Sequence, residues 1–162
     1  MNMQMNTKFN IEEFLSLKGY DNETRKTRRK GNGGTQEFFT PFSLVKKICD
    51  MVSEDDWKDP EKTFLDPCMG NGQFIIYVIY RRLILGIELY DVLKTVYGVE
   101  LMSDNVKSVY ERIYNLLDSM QIEYDKAKVK RIMKKNLVCS NFFKWDFEHW
   151  KPIEETKSIA LF

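Results

Sequence analysis

One heptapeptide limits what this chain can become: Asp66-Pro67-Cys68-Met69-Gly70-Asn71-Gly72, set between the apolar TFL and a long apolar run from Gln73 to Leu85. A proline and two glycines this close together continue neither a strand nor a helix, so the chain has to turn here. TFLD before the turn predicts a short buried strand, and the run after it is apolar nearly all round, as a helix packed on a sheet would be. Strand, glycine turn and helix are the start of a βαβ unit, whose ligand sites lie at the carboxyl ends of the strands.

The flanking segments repeat the alternation. Thr40-Pro41 predicts an N-cap followed by proline at the first helical position, and Leu44, Val45, Ile48 and Val52 recur on one face of a helix over 41–53. SEDDWKDPEK is then a polar turn. Gly86 is a C-cap, a short segment surrounds Tyr90 to Leu93, and TVYGVEL is a second strand ending near Glu100. From Asp104, apolar residues at Val106, Val109, Tyr110, Ile113, Leu116, Leu117 and Met120 give strong helical periodicity. A basic amphipathic helix follows at 126–135, NLVCSNFF is a third strand, and KSIALF opens a fourth. The expected fold is therefore α/β, Rossmann-like, with three or four mainly parallel strands, flanking helices and an incomplete sheet.

Upstream, Phe9 to Leu17 predicts a short outer helix, capped by Asn10 and stapled by Phe9 against Phe14. DNETRKTRRKGNGG, residues 21–34, has nothing to bury, so 1–34 divide into that helix and a flexible basic linker, with the folded domain at 35–162. The run Arg25, Lys26, Arg28, Arg29, Lys30 is a candidate grip for DNA phosphates, set against a solvated linker that is at least as good a reading. Lys126 to Lys135 allow the same two readings. Over the whole chain 25 basic residues meet 24 acidic ones, so a net charge of +1 supplies no global attraction to polyanions or membranes. Cys49, Cys68 and Cys139 lack the number and spacing of a disulfide framework or zinc site. No signal peptide is legible, and Arg81-Arg82 breaks the most apolar stretch before it could span a bilayer, which together predict a soluble intracellular protein.

At the predicted switch point, Gly70 and Gly72 allow a ligand against bare main chain, and Asp66 can accept from an ammonium. Glu100, at the end of the next strand, can accept both hydroxyls of a ribose. Alone, each feature is more often a plain turn or a surface acid. Isoleucine at position 75 occupies the third-glycine place of the dinucleotide fingerprint, and no Gly-Lys-Ser/Thr follows, so phosphate cradles are disfavoured and a nucleoside without pyrophosphate is favoured.

EFFTPFSLVKKICDMV, TFLDPCMGNGQFI, VYGVEL and NLVCSNFFKWDF occur in the order seen in N6-adenine DNA methyltransferases such as the modification subunits of restriction systems, and the chain resembles that family over about residues 36–147. The resemblance implies S-adenosylmethionine (SAM) or S-adenosylhomocysteine as cofactor and a cytoplasmic protein of prokaryotic or viral origin. It implies that Phe39, Thr40 and Pro41 close over the methionine end, and that Asp66, Pro67, Gly70, Gly72 and Phe74 form the methionine-binding turn. It further implies that Glu100 and Leu101 contact ribose and adenine, and that Asn141 and Phe142 hold the adenine ring. Asn141 stands where the family has aspartate. The family's catalytic tetrapeptide, [DNS]-P-P-[YFW], is absent from the 162 residues, so no catalytic residue is assigned. Three readings follow. The first is a SAM-binding domain inactive alone, with a partner chain or homodimer covering its sheet. The second is a degenerate methyltransferase serving as a regulatory or DNA- or protein-binding module. The third is an enzyme with an unrecognised site. His149 and the three tryptophans are expected to be packing or surface residues, and Cys68 a small filler, although a low thiol pKa at a helix start is conceivable there.

Overall fold

The structure, a computed structural model, describes residues 9–16 and 40–154. The predicted linker at 21–34 with its basic run, Phe39 and the predicted strand at 157–162 lie outside the described residues.

Three parallel strands form the centre: β1 (Phe64–Asp66), β2 (Val96–Glu100) and β3 (Leu137–Cys139), in the order β1-β2-β3. Asp66 pairs with Gly98, and Glu100 with Cys139, so the ends of the strands sit side by side. The β1–β2 connection carries α4 (Gln73–Ile84) and α5 (Leu89–Thr95), and the β2–β3 connection carries α6 (Ser103–Ser119) and α7 (Lys126–Asn136). With right-handed crossovers, a strand order that advances in one direction puts both connections on one face of the sheet. Phe64, Val96 and Leu137 turn to that face, and Val96 and Leu137 are buried there with α4 and α6 residues such as Ile76, Ile79, Val109 and Ile113. The α/β class, three parallel strands and flanking helices agree with the sequence reading.

Sequence and structure differ in several places. β1 is an edge strand, and Leu65 alternates to the opposite face with Tyr97, Val99 and Val138, where it remains 48% exposed. The expected buried strand is therefore only half-covered. α1 (Ile11–Leu15) is capped by the Asn10 side chain, which accepts from the Glu12 and Glu13 amides, and Phe9 meets Phe14 at 5.7 Å, both as expected. Yet Leu15 is fully buried, so this helix belongs to the core and not to the periphery.

α2 (Phe42–Cys49) starts after Pro41, which is itself the N-cap, and Thr40 caps nothing. The helix stops four residues before the predicted Ser53 because Ser53 caps the next one, accepting from the Asp56 amide to start α3 (Glu54–Lys58). Val45 and Cys49 are its buried residues, while Leu44 and Ile48 are 45% and 43% exposed. α3 lies in the supposed polar turn and inserts Trp57 fully into the core, stacked on Phe64 at 4.8 Å with the Arg81 guanidinium 4.4 Å from its ring. Arg82 is also fully buried, donating to the carbonyls of Asp59 and Lys62.

β3 ends at Cys139, where NLVCSNFF was expected to continue extended. Asn141 accepts from the Phe143 amide and starts a 3₁₀ turn, Phe142–Lys144. A small antiparallel pair follows, β4 (Trp145–Asp146) and β5 (Lys151–Pro152), with Trp150 against Tyr97 at 4.7 Å. His149 is exposed and bonded to Asp146 at 2.9 Å.

At the amino-terminal rim of the sheet α5 passes into β2, and α7 into β3, with no residue between. Asn136 ties the two joints, its amide donating to the carbonyls of Leu93 (3.1 Å) and Lys94 (2.9 Å).

Two helices end in the same left-handed cap. Gly86 (φ 86°) follows α4 and Gln121 (φ 57°) follows α6, each with the paired 5→2 and 6→1 bonds of a Schellman motif. Glutamine carries a Cβ penalty there that glycine does not, so Gln121→Gly is expected to stabilise the protein by about 1 kcal/mol. A thermal melt that shifts downward would contradict this.

No helix among the described residues is long and apolar enough to cross a membrane.

Candidate functional site

The glycine turn is held by β2 and by its own main chain. Met69 donates its amide to Val99 O (3.0 Å), extending the β1–β2 pairing into the turn, and Gly72 donates to Met69 O (2.7 Å). Gly70 (φ 53°) and Gly72 (φ 86°) both take the left-handed conformation that the sequence reading required of them, and Gly72 is the N-cap of α4. Gly98 keeps β2 bare beneath the turn, since a Cβ there would overlap Met69 Sδ.

The two predicted carboxylates converge on this turn. Glu100 Oε2 accepts from the Gly70 amide at 2.9 Å across the two strands, and Oε1 accepts from Met102 N at 2.8 Å. Asp66 Oδ1 accepts from Cys68 N at 3.1 Å. Burial drives the Asp66 carboxyl up to about 6, the Glu100 charge adds to the rise, and the Cys68 N–H opposes it. Among the described residues Asp66 meets no cation. Cys68 is exposed, and its thiol is pushed up by partial burial and then by the charges of Asp66 and Glu100. It is not a filler, being exposed, and not an activated thiol, since burial and the two acids both disfavour the thiolate.

Beneath the turn lies a residue that the sequence reading passed over. Arg112 of α6 is fully buried and donates to Asn71 O (2.7 Å) and Gln73 Oε1 (2.6 Å). Gln73 in turn donates to Thr40 O (3.1 Å) and Leu15 O (3.4 Å), so α6, the turn, α1 and the Thr40-Pro41 approach form one chain of bonds. The signal was in the sequence: position 112 falls three residues after Val109 and four before Leu116, on the buried face.

A cleft of about 270 Å³ runs along the outer edge of β1, with Ile48, Val52, Trp57, Pro67 and Phe74 on its walls and Asp66 as its carboxylate. It joins Asp66, Pro67 and Phe74 of the predicted set. Glu100, Gly70 and Gly72 stand at the strand ends and not in the cleft. Leu101 (59% exposed) and Phe142 (37%) are apolar surfaces just beyond β2 and β3, and Asn141 follows Ser140, whose amide bonds Glu100 O at 2.9 Å. Asp66, Pro67 and Phe74 thus lie together beside β1, and Glu100, Leu101, Asn141 and Phe142 lie at and just beyond the carboxyl ends of β2 and β3. No group of His, Cys, Asp and Glu among the described residues could hold a metal ion. No family model, no curated protein and no solved structure matches this chain.

Proposed function

We propose that the chain is the SAM-binding domain, Rossmann-like in fold, of an N6-adenine DNA methyltransferase. The observation that carries this reading is Asp66: a half-buried carboxylate with no cation beside it among the described residues, next to a glycine turn braced by a second carboxylate, Glu100. An adenosyl amino acid with an ammonium and a ribose fits that donor set. Asp66 would hold the ammonium. Glu100 would accept ribose hydroxyls on the lone pairs that Gly70 and Met102 leave open, Leu101 and Phe142 would flank the adenine, and Asn141 would meet its polar edge. Thr40-Pro41, Pro67, Gly70, Gly72 and Phe74 would surround the methionine end. When bound, the cofactor supplies an activated methyl on its sulfonium. These residues bind and orient, and with no Pro-Pro-aromatic element among the 162 residues they are not expected to transfer the methyl unaided.

Calorimetry with SAM and S-adenosylhomocysteine is expected to show binding that Asp66→Ala and Glu100→Ala each weaken at least about tenfold, the loss of a charge-assisted bond. Well-folded protein giving no heat with either ligand would end the proposal.

The pH dependence adds a second readout. An acid whose folded pKa (about 6) lies above its unfolded value (about 3.9) makes ionisation costly to the fold. Its contribution to stability is full below pH 4, is lost as pH rises towards 6, and is constant above. Asp66→Asn is therefore expected to stabilise the free protein at pH 7 by about 1–3 kcal/mol, to change little at pH 4, and to abolish ligand binding. Ligand affinity of the unaltered protein should rise with pH through 6. Pairing Asp66→Asn stability with lost affinity separates a ligand-holding acid from a structural one, whose removal would destabilise.

A further inference from the structure

α7 carries Lys126, Lys128, Lys130, Arg131, Lys134 and Lys135 on its exposed side and no acid along its length. Lys126 and Lys128 lie over the rings of Tyr114 and Tyr90. Elsewhere Lys46, Lys62, Lys94 and Lys107 have carboxylate partners, but Lys130, Arg131, Lys134 and Lys135 meet none among the described residues. Three like-charge pairs stand at i,i+4 (126/130, 130/134, 131/135), each unfavourable by a few tenths of a kcal/mol in an isolated helix. Two of the lysines also sit in the first turn, where the helix dipole disfavours them.

The second observation is aromatic. Trp150 Nε1 donates to Lys135 O at 2.7 Å, which seats the β4–β5 pair on the end of α7. From Trp150 a ladder of rings runs outward through Phe147 (6.2 Å) and Phe142 (5.0 Å) to Phe143 (5.2 Å), and Phe143 is 84% exposed. A large ring held in water at the head of a ladder is a stacking surface without a partner, and the ladder is seated on α7 through Trp150.

We propose that α7 and the Phe143–Phe142–Phe147 ladder form a binding surface for single-stranded nucleic acid, the cations taking phosphates and Phe143 stacking on an unpaired base. This inference does not rest on the methyltransferase reading. Eleven residues of helix span about 16 Å, long enough to track several phosphates of one strand. Stacking on an exposed ring needs an unpaired base, which favours a single strand over a duplex.

The test is fluorescence anisotropy of the full chain with a labelled oligothymidylate of roughly 15 nucleotides. If four cations meet phosphates, doubling the salt should lower affinity about sevenfold. Changing Lys130, Arg131, Lys134 and Lys135 together to Gln should cost more than about tenfold and flatten that salt dependence. Phe143→Ala should cost roughly tenfold and leave the salt dependence alone. All five side chains are exposed, so neither variant is expected to melt at a lower temperature than the unaltered protein. Unchanged affinity in the Gln variant would assign any binding to another surface and overturn the proposal. It would also be overturned if duplex DNA or polyglutamate bound as tightly as the single strand, or if Phe143→Ala bound like the unaltered protein.

Discussion

Gly72→Ala is expected to lower the unfolding free energy by about 2–5 kcal/mol, the sum of two independent costs. The first is conformational: Gly72 has φ 86°, where a Cβ costs about 1–2 kcal/mol. The second is steric: a Cβ built there lies 2.8 Å from Val109 Cγ2 and 3.1 Å from Cγ1, and Val109 is fully buried in α6 with nowhere to move. Overpacking of that kind adds about 1–3 kcal/mol. The fold contains its own control, because Gly86 has the same φ of 86° with nothing within 4 Å of its would-be Cβ. Gly86→Ala should therefore show only the first cost, and Val109→Ala in the Gly72→Ala background should recover most of the second. Chemical denaturation of the four proteins measures both terms, and equal losses in the two alanine variants would refute the close approach of α6 to the turn.

Arg112→Ala is expected to cost about 3–5 kcal/mol and to loosen the glycine turn specifically. Truncation leaves Asn71 O and Gln73 Oε1 buried without the donor they now share, and it opens a cavity beneath the turn. Arg112→Lys keeps a charge but cannot span both acceptors, so it should fall between the two. Hydrogen exchange separates a local from a global effect. Amides of residues 69–73 should exchange faster in Arg112→Lys under conditions where those of α5 and α7 do not change. Uniform acceleration, or a loss below about 1 kcal/mol in Arg112→Ala, would mean the guanidinium is only filling space.

What could be read from the sequence follows the strength of the local signal. α6 is long and its apolar residues keep one period, so its bounds emerged to within a residue, and the strand–turn–helix at Asp66 was visible because glycine and proline leave few alternatives. Asp66 and Glu100 were identified because each closes a strand. α3 was missed because a five-residue helix with one apolar side chain, Trp57, has no period to detect, and only Ser53 ahead of three acids marked its start. Arg82 was read by its charge and Arg112 was passed over, whereas main-chain carbonyls together with Thr95 Oγ1 and Gln73 Oε1 accept from them in the core, a partnership that no pattern of side chains reveals. The β4–β5 pair was also hidden, since its two-residue strands are set by tertiary contacts of Trp145 and Trp150 and not by β propensity.

The joints at Thr95–Val96 and Asn136–Leu137 leave no slack between helix and strand. One added residue at either would rotate the helix about 100° against the sheet or turn the strand over, and Asn136 couples the two so that neither can shift alone. That side of the molecule behaves as a keel, intolerant of any change in length. Changes in loop length are thereby confined to the opposite rim, where a chain built this way can lengthen its loops without re-registering its sheet.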